Sequence, residues 1–144
     1  MSERQPAQGE AVSERLQQAM NAHDLEAHLG CFQEDYRSEQ PAHPARAFTG
    51  SQQVRENWTK LYKSIPDFRA ELLRLAVVGE TEWAEWHWQG TKEDGGPLDE
   101  RGVTIVGIRD GKIAWGRLYV EEVEREGAGI DETVRRMAGR GEDT

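Results

Sequence analysis

The second half of the chain carries four stretches with the composition of β-strands, separated by turns or a polar loop. They cover Phe68 to Val78, Trp83 to Gly90, Gly102 to Arg109 and Asp110 to Glu121. The dipeptide Asp110–Gly111 is typical of a tight hairpin turn, so the last two strands are predicted to be neighbours. A sheet of this kind needs another layer to cover one face. The rest of the chain has to supply that layer.

The first half supplies it as three predicted helices. Val12, Leu16 and Met20 recur at a spacing of four residues, which indicates an amphipathic helix over residues 11–22. Two more helices are predicted, over residues 25–32 with Asp24 as cap and over residues 51–64 with Ser51 as cap. Between these two, residues 35–40 are predicted to be a short strand, and the proline-bearing residues 41–50 a loop at a rim.

Helices followed by a meander of strands are typical of α+β folds. We expect the three helices to pack across the concave side of a strongly curved antiparallel or mixed sheet. The result is a cone-shaped barrel with an internal pocket open at one end. The domain is predicted to cover residues 11–124. Residues 1–10 are expected to be a disordered tail, and residues 125–144 a polar tail with a short helix.

Composition limits the partners. The chain has 144 residues, enough for one domain, and its net charge of −9 argues against nucleic acid, which requires a basic surface. Its single cysteine, Cys31, excludes an intrachain disulfide and is expected to be a buried, unreactive thiol. The N-terminus lacks the apolar core of a signal peptide, and no stretch is apolar enough to span a membrane. We therefore expect a cytoplasmic protein without a membrane partner.

The last strand has an unusual polar face. Side chains in a strand alternate between two faces, so Arg117, Tyr119 and Glu121 share one face while Leu118 and Val120 share the other. A base, a phenol and an acid on one face indicate that this face lines either a cavity or water.

The strand Trp83 to Gly90 poses the same question, because both of its faces carry tryptophan. One face has Trp83, Glu85, His87 and Gln89, and the opposite face has Ala84, Trp86 and Trp88. Periodicity alone leaves both orientations open.

Five short motifs occur in an order that resembles the SnoaL-like group of the nuclear transport factor 2-like superfamily. They are Asn21 to Ala27, Phe32 to Asp35, Phe48 to Gly50, Ile65 to Phe68 and Asp110 to Ile113, and the resemblance covers residues 12–123. It implies a cone-shaped α+β barrel. The superfamily holds ketosteroid isomerases, polyketide cyclases, epoxide hydrolases, dehydratases and non-catalytic binding modules, so the fold alone does not decide the function.

The resemblance argues against isomerase chemistry. That family has an acid before a proline after the second helix, where this chain has Gln40, and an amide cannot abstract a proton α to a carbonyl. The family's tyrosine and protonated acid map to Leu16 and Thr104.

The ending Arg117-Leu-Tyr119-Val-Glu121 is similar to the Arg-x-Tyr-x-Asp ending of polyketide cyclases and limonene epoxide hydrolase. The hydrolase's Arg-x-Asp pair maps to Glu85 and His87, which weakens the hydrolase interpretation.

On this resemblance we favour the orientation in which the polar faces look into the cone. The predicted catalytic residues are then Glu121, His87, Glu85, Arg117 and Tyr119, and the predicted substrate-binding residues are Tyr36, Gln40, Trp58, Trp83 and Trp115. Trp86 and Trp88 would lie on the outer sheet face, where exposed aromatic residues would suggest a homodimer interface. The reverse orientation would place these tryptophans in the pocket.

No metal or other cofactor is expected, because no metal-binding spacing, phosphate loop or redox cysteine pair occurs. His23 and His28 are expected to be helix-surface residues.

Two functional hypotheses follow. The first is a cofactor-independent enzyme of the cyclase or hydrolase type, with acid/base chemistry on an apolar, oxygenated small molecule. The alternative is a non-catalytic module of the same fold that binds ligands or dimerises, in which Glu85 and His87 are a solvated pair and Arg117 and Glu121 a salt bridge.

Overall fold

A computed structural model describes residues 9–140 of the chain. In chain order the elements are helix α1 (Val12–Ala22), helix α2 (Leu25–Leu29), strand β1 (Phe32–Glu39), a short 3₁₀ turn (Pro44–Arg46), strand β2 (Phe48–Thr49), helix α3 (Ser51–Ser64), strands β3 (Arg69–Val78), β4 (Thr81–Thr91), β5 (Pro97–Arg109) and β6 (Lys112–Glu122), and helix α4 (Ile130–Met137). The predicted tail over residues 1–10 falls mainly on residues 1–8, which lie outside the described residues, as do residues 141–144 at the other end.

The six strands form one mixed sheet in the order β2-β1-β6-β5-β4-β3. All neighbours are antiparallel except β1 and β6, which run parallel. The predicted α+β class, with three N-terminal helices before a meander of strands, is confirmed. None of the helices in the described part of the chain has both the length and the apolar composition needed to cross a lipid bilayer.

Several predicted boundaries were wrong. The strand predicted over residues 35–40 is β1, which begins at Phe32, and the loop predicted over residues 41–50 contains β2. Helix α2 ends at Leu29, because Gly30 caps it and Phe32 already begins β1. The loop predicted over residues 91–99 is shorter, since β4 continues to Thr91 and β5 starts at Pro97. A turn joins the two strands, in which the N–H of Lys92 donates to the carbonyl of Gly96 and the N–H of Gly95 donates to the carbonyl of Lys92.

A buried carboxylate fixes the start of α1 to the sheet. The N-cap residue of this helix is Ala11, which has no side chain to accept a hydrogen bond. Instead Glu82, at the start of β4, accepts the backbone N–H groups of Val12 at 2.9 Å and Ser13 at 2.8 Å. Glu82 is 4% exposed. A negative charge at a helix N-terminus is favourable, because it satisfies unpaired N–H groups and complements the helix dipole.

The other half of α1 covers the edge of the sheet. The Asn21 amide accepts from the N–H of Ala70 at 2.7 Å and donates to its carbonyl at 2.9 Å. Gln17 accepts the N–H of Leu72 at 2.6 Å. Because β3 is an edge strand, these backbone groups have no strand partner on that side, and α1 supplies one. Helix α1 is therefore held at both ends above the concave face.

Replacement of Glu82 by alanine is expected to lower the free energy of unfolding by about 2–3 kcal/mol, because it leaves the two buried N–H groups of Val12 and Ser13 without an acceptor. Urea unfolding followed by circular dichroism measures this. The matched control is Glu80→Ala, which removes an exposed acid two residues earlier, at the β3–β4 turn. Equal loss of stability in the two variants would contradict the anchoring role of Glu82.

Candidate functional site

A cavity of about 420 Å³ lies between the three N-terminal helices and the concave face of the sheet. Its wall is mainly aromatic and aliphatic, with a few neutral polar groups. It is lined by Ser13, Leu16, Met20, His28, Phe32, Tyr36, Ser38, Gln40, Phe48, Val54, Asn57, Trp58, Lys60, Leu61, Trp86, Trp88, Thr104, Val106, Ile113 and Leu118. Ligand sites are usually concave and mostly apolar with few convergent polar groups, so this cavity is the candidate site.

Strand β4 has the orientation opposite to the one we favoured. Trp86 and Trp88 line the cavity, and Trp86 is 1% exposed. Its indole N–H donates to Thr104 Oγ1 at 2.9 Å, so the buried polar atom is satisfied. Trp83, on the other face, is 47% exposed. The reason is physical: the face with two tryptophans and an alanine gains more from burial than the face with Glu85 and His87, whose polar groups would lose water.

Strand β6 follows the same orientation. Leu118 lines the cavity and Val120 is buried, while the three polar residues of the Arg-x-Tyr-x-Glu ending point outward. Arg117 lies 3.4 Å from Glu39 and 5.3 Å from the centre of the Trp115 ring. The predicted convergence of this polar face inside the cone is therefore wrong.

The rest of the predicted catalytic set has partners on the outer face as well. Glu121 Oε2 lies 2.9 Å from His43 Nε2, in the loop before β2. His87 Nε2 lies 2.7 Å from Asp99 Oδ1, and Asp99 also pairs with Arg125. Hydrogen bonds from His87, and next from Arg125, lower the pKa of the Asp99 carboxyl.

Glu85 stands opposite Arg74 and Val103 in the strand ladders. None of the five predicted catalytic residues lines the cavity. Their catalytic roles stay a prediction that this geometry does not favour.

The five predicted substrate-binding residues divide into two groups. Tyr36, Gln40 and Trp58 lie in the cavity wall, whereas Trp83 and Trp115 do not. The Trp115 indole covers Gly107 on the outer face, where a Cβ atom would lie 1.9 Å from its Nε1. Homodimerisation through the outer sheet face stays a prediction, now with Trp83 rather than Trp86 and Trp88 as its exposed tryptophan.

His28 was wrongly predicted to be a surface residue. It is 1% exposed and lines the cavity, with its ring 4.7 Å from that of Trp58 and stacked on Phe32. Its Nδ1 lies 2.8 Å from the hydroxyl of Tyr62. A signal was present in the sequence: Leu25, His28, Leu29 and Phe32 have the spacing i, i+3, i+4, i+7 of one buried helix stripe.

Burial holds the His28–Tyr62 pair uncharged. Loss of hydration lowers the pKa of His28 to about 4 and raises the pKa of Tyr62. The same cause raises the pKa of Tyr36, another phenol in the cavity wall. These groups can offer the cavity hydrogen bonds but no charge at neutral pH.

Glu100 is one of the acids on the concave face, and it lies beside this wall. Glu100 stands directly opposite Trp88 in the β4–β5 ladder, and directly opposite residues of antiparallel strands share a face. On its other side it stands opposite Glu122 of β6. Burial, followed by the charges of Glu122 and Glu121, raises the pKa of Glu100. The residue is absent from the predicted site, because it lies between the loop predicted over residues 91–99 and the strand predicted to begin at Gly102.

Cys31 is buried as predicted, with its Sγ 3.5 Å from the carbonyl oxygen of Ala27, and burial raises the pKa of its thiol. Within residues 9–140, no group of three or more histidine, cysteine, aspartate or glutamate side chains is placed to hold a metal ion.

His28 makes stability fall in mild acid. Its folded-state pKa lies below the value of about 6.5 expected in the unfolded chain, so below pH 6.5 the unfolded state binds the proton preferentially. We expect this group to cost roughly 2 kcal/mol of the free energy of unfolding between pH 7 and pH 5. An NMR titration of the four histidine rings should find one that stays neutral to about pH 4, and that signal should be absent in His28→Phe. Titration of every ring near pH 6.5 would contradict the buried environment.

Comparison with known proteins places this geometry in a family. The model of the SnoaL-like domain matches residues 13–115. A search of curated proteins finds no match. Solved structures with the same fold include an NTF2-like protein from Anabaena variabilis, with 20% identity and a TM-score of 0.65 over 78% of this chain and 85% of that one.

Another is a Jannaschia protein named as a SnoaL-like polyketide cyclase, with 17% identity and a TM-score of 0.65 over 76% of this chain and 83% of that one. A third, from Catenulispora acidiphila, is described as having a ketosteroid isomerase-like fold in complex with trimethylamine, with 15% identity and a TM-score of 0.64 over 79% of this chain and 85% of that one. Identities this low establish the shared fold and nothing finer. Since the family model covers more than half of the chain, the protein belongs to the SnoaL-like domain family.

Proposed function

We propose that this SnoaL-like protein binds an uncharged, apolar small molecule that carries oxygen, inside the cone. The observation that supports this most directly is the cavity itself, whose wall is built from aromatic and aliphatic side chains around a volume of about 420 Å³. That volume lies within the range of about 300–1,000 Å³ found for small-molecule sites. Similarity in fold to a protein named as a polyketide cyclase is consistent with such a ligand.

The charges of the wall favour an uncharged ligand. Among the described residues that line the cavity, Lys60 is the one with a charged side chain, and it is exposed on α3. No aspartate or glutamate belongs to that lining. A ligand charge buried against Trp58 and Trp86 would lose its hydration without a partner, at a cost of several kcal/mol. The neutral groups of Tyr36, Gln40 and His28 are suited instead to ligand oxygens.

A tryptophan that fills part of the cavity should weaken binding. Leu118→Trp adds a large side chain to the wall, and we expect the affinity for 2-acetylnaphthalene, measured by titration calorimetry, to fall about tenfold or more. The matched control is Ile105→Trp, on the outer face opposite Arg117, which should bind the probe like the wild type. Loss of binding in both variants, or in neither, would argue against the cone cavity as the binding site.

Cofactor-independent acid/base chemistry is the second candidate function, and Glu100 favours it. This carboxyl shares the concave face with Trp88, and its pKa is raised, first by burial. A general base is most effective when its pKa lies nearer the working pH than that of an ordinary carboxyl. The sequence-based choice of Glu121 for this role has less support, because Glu121 points outward and pairs with His43.

Glu100 can be tested by proton exchange on a bound ketone. In D₂O, a base in the cone should accelerate replacement of the methyl hydrogens of 2-acetylnaphthalene by deuterium, as followed by NMR. We expect Glu100→Gln to lower the protein-dependent rate by about a hundredfold or more. Glu71→Gln, which removes an exposed acid of β3 opposite His87, should retain most of the rate. Binding without accelerated exchange in the wild type would leave the protein as a ligand-binding module.

A further inference from the structure

One ring nitrogen of His28 has no hydrogen-bond partner among the described residues. The ring lies in the cavity wall, and its Nδ1 is taken by the Tyr62 hydroxyl at 2.8 Å. Its other nitrogen, Nε2, has no hydrogen-bond partner within residues 9–140. Buried polar groups nearly always have partners, so an open nitrogen in an apolar cavity indicates a position for a ligand atom.

Tyr62 determines which nitrogen carries the proton. Its hydroxyl has one hydrogen-bond partner among the described residues, His28 Nδ1. If the hydroxyl donates to Nδ1, a single bond satisfies both groups, and the ring proton must sit on Nε2. If Nδ1 were protonated, the hydroxyl proton of Tyr62 would have no acceptor in the described part of the protein. The first arrangement costs less, and it turns Nε2 into a donor toward the cavity.

A second donor in the same aromatic cluster is also without an acceptor. Trp88 Nε1 is buried and has no hydrogen-bond partner among the described residues. The rings of His28 and Trp88 both pack against Trp58, at 4.7 Å and 5.9 Å between centroids. The N–H groups of His28 and Trp88 in this part of the wall therefore lack acceptors, which suits a ligand that accepts hydrogen bonds.

We propose that His28, held in one tautomer by Tyr62, donates its Nε2–H to the carbonyl oxygen of the ligand, so that the site selects uncharged apolar carbonyl compounds. This rests on the proposed binding function and names its ligand class. Because burial keeps the imidazole neutral, a carboxylate would gain no counter-charge here. A carbonyl oxygen matches a neutral donor without bringing a charge into the cone, and the donor polarises the carbonyl group.

The test compares two ligands of nearly the same shape. 2-Acetylnaphthalene carries a carbonyl oxygen where 2-isopropenylnaphthalene carries a methylene group. Titration calorimetry at pH 7 should give about fivefold tighter binding of the ketone by the wild type, the value expected for one buried hydrogen bond. His28→Phe should retain the alkene affinity and lose the preference for the ketone. The control His43→Gln removes a histidine outside the cavity wall and should keep the preference.

A second measurement needs no substitution, which matters because His28 packs in the core. The infrared carbonyl stretch of the ketone bound to the wild type should lie at lower frequency than that of the ketone in cyclohexane. In Tyr62→Phe the His28 ring loses the hydrogen bond that orients it, so the frequency shift should become smaller and the carbonyl band broader.

The outcomes separate the two proposals. Equal affinity for ketone and alkene together with an unshifted carbonyl band overturns the role of His28 but leaves binding in the cone intact. A preference that survives in His28→Phe also overturns it. Failure of both probes to bind the wild type overturns the binding function and the inference together. Ketone preference that is lost in His28→Phe, with a shifted band in the wild type, supports the assignment.

Discussion

The cone depends on the carboxylate of Glu82. The side chain of Ala11, the N-cap residue of α1, cannot accept a hydrogen bond, and the acid that accepts the N–H groups of Val12 and Ser13 instead comes from β4. This joins the helix layer to the sheet by two charge-assisted hydrogen bonds in a buried place. With Asn21 holding the other end of α1 to the β3 edge, the helix lies at a fixed height above the concave face. The space left beneath it is the cavity, so the contact of Glu82 with Ser13, which belongs to the cavity wall, helps to set the cavity volume.

Much of this fold follows from the sequence, because local patterns report element type. Alternation identified β3 to β6, and the Asp110–Gly111 turn located the β5–β6 hairpin. Alternation cannot say which face of a strand is buried, since the choice depends on the layer that covers it. In β4 the tryptophans determine which face is buried. Each indole buries about 150–250 Å², which contributes roughly 4–6 kcal/mol at about 25 cal/mol per Å². Turning Glu85 and His87 inward instead would forfeit this gain and remove polar groups from water.

The candidate site was harder to predict for a related reason. The polar ending of β6 has the residue types of a catalytic site, but acids and bases are also typical of a solvated outer face. The polarity of His28 favours the helix surface, whereas its position on the stripe that includes Leu25 and Phe32 favours burial. Its partner Tyr62 lies on α3, 34 residues away, and no local pattern connects the two. Only the packing of α2 against α3 brings them together.

The physical character of this site is its neutrality. Burial shifts the pKa of His28 downward and that of Tyr62 upward, and these opposite shifts have the same result, since each group keeps its uncharged form. A hydrogen bond between two such groups neither depends on salt nor titrates between pH 5 and 9, so its donor is available throughout that range. Glu100 differs because it can ionise, although burial and then the neighbouring charge of Glu122 raise its pKa. On a carbonyl compound, the neutral donor His28 in the wall and the acid Glu100 beside it on the concave face would have different roles. His28 would hold the oxygen, and Glu100 would exchange the proton.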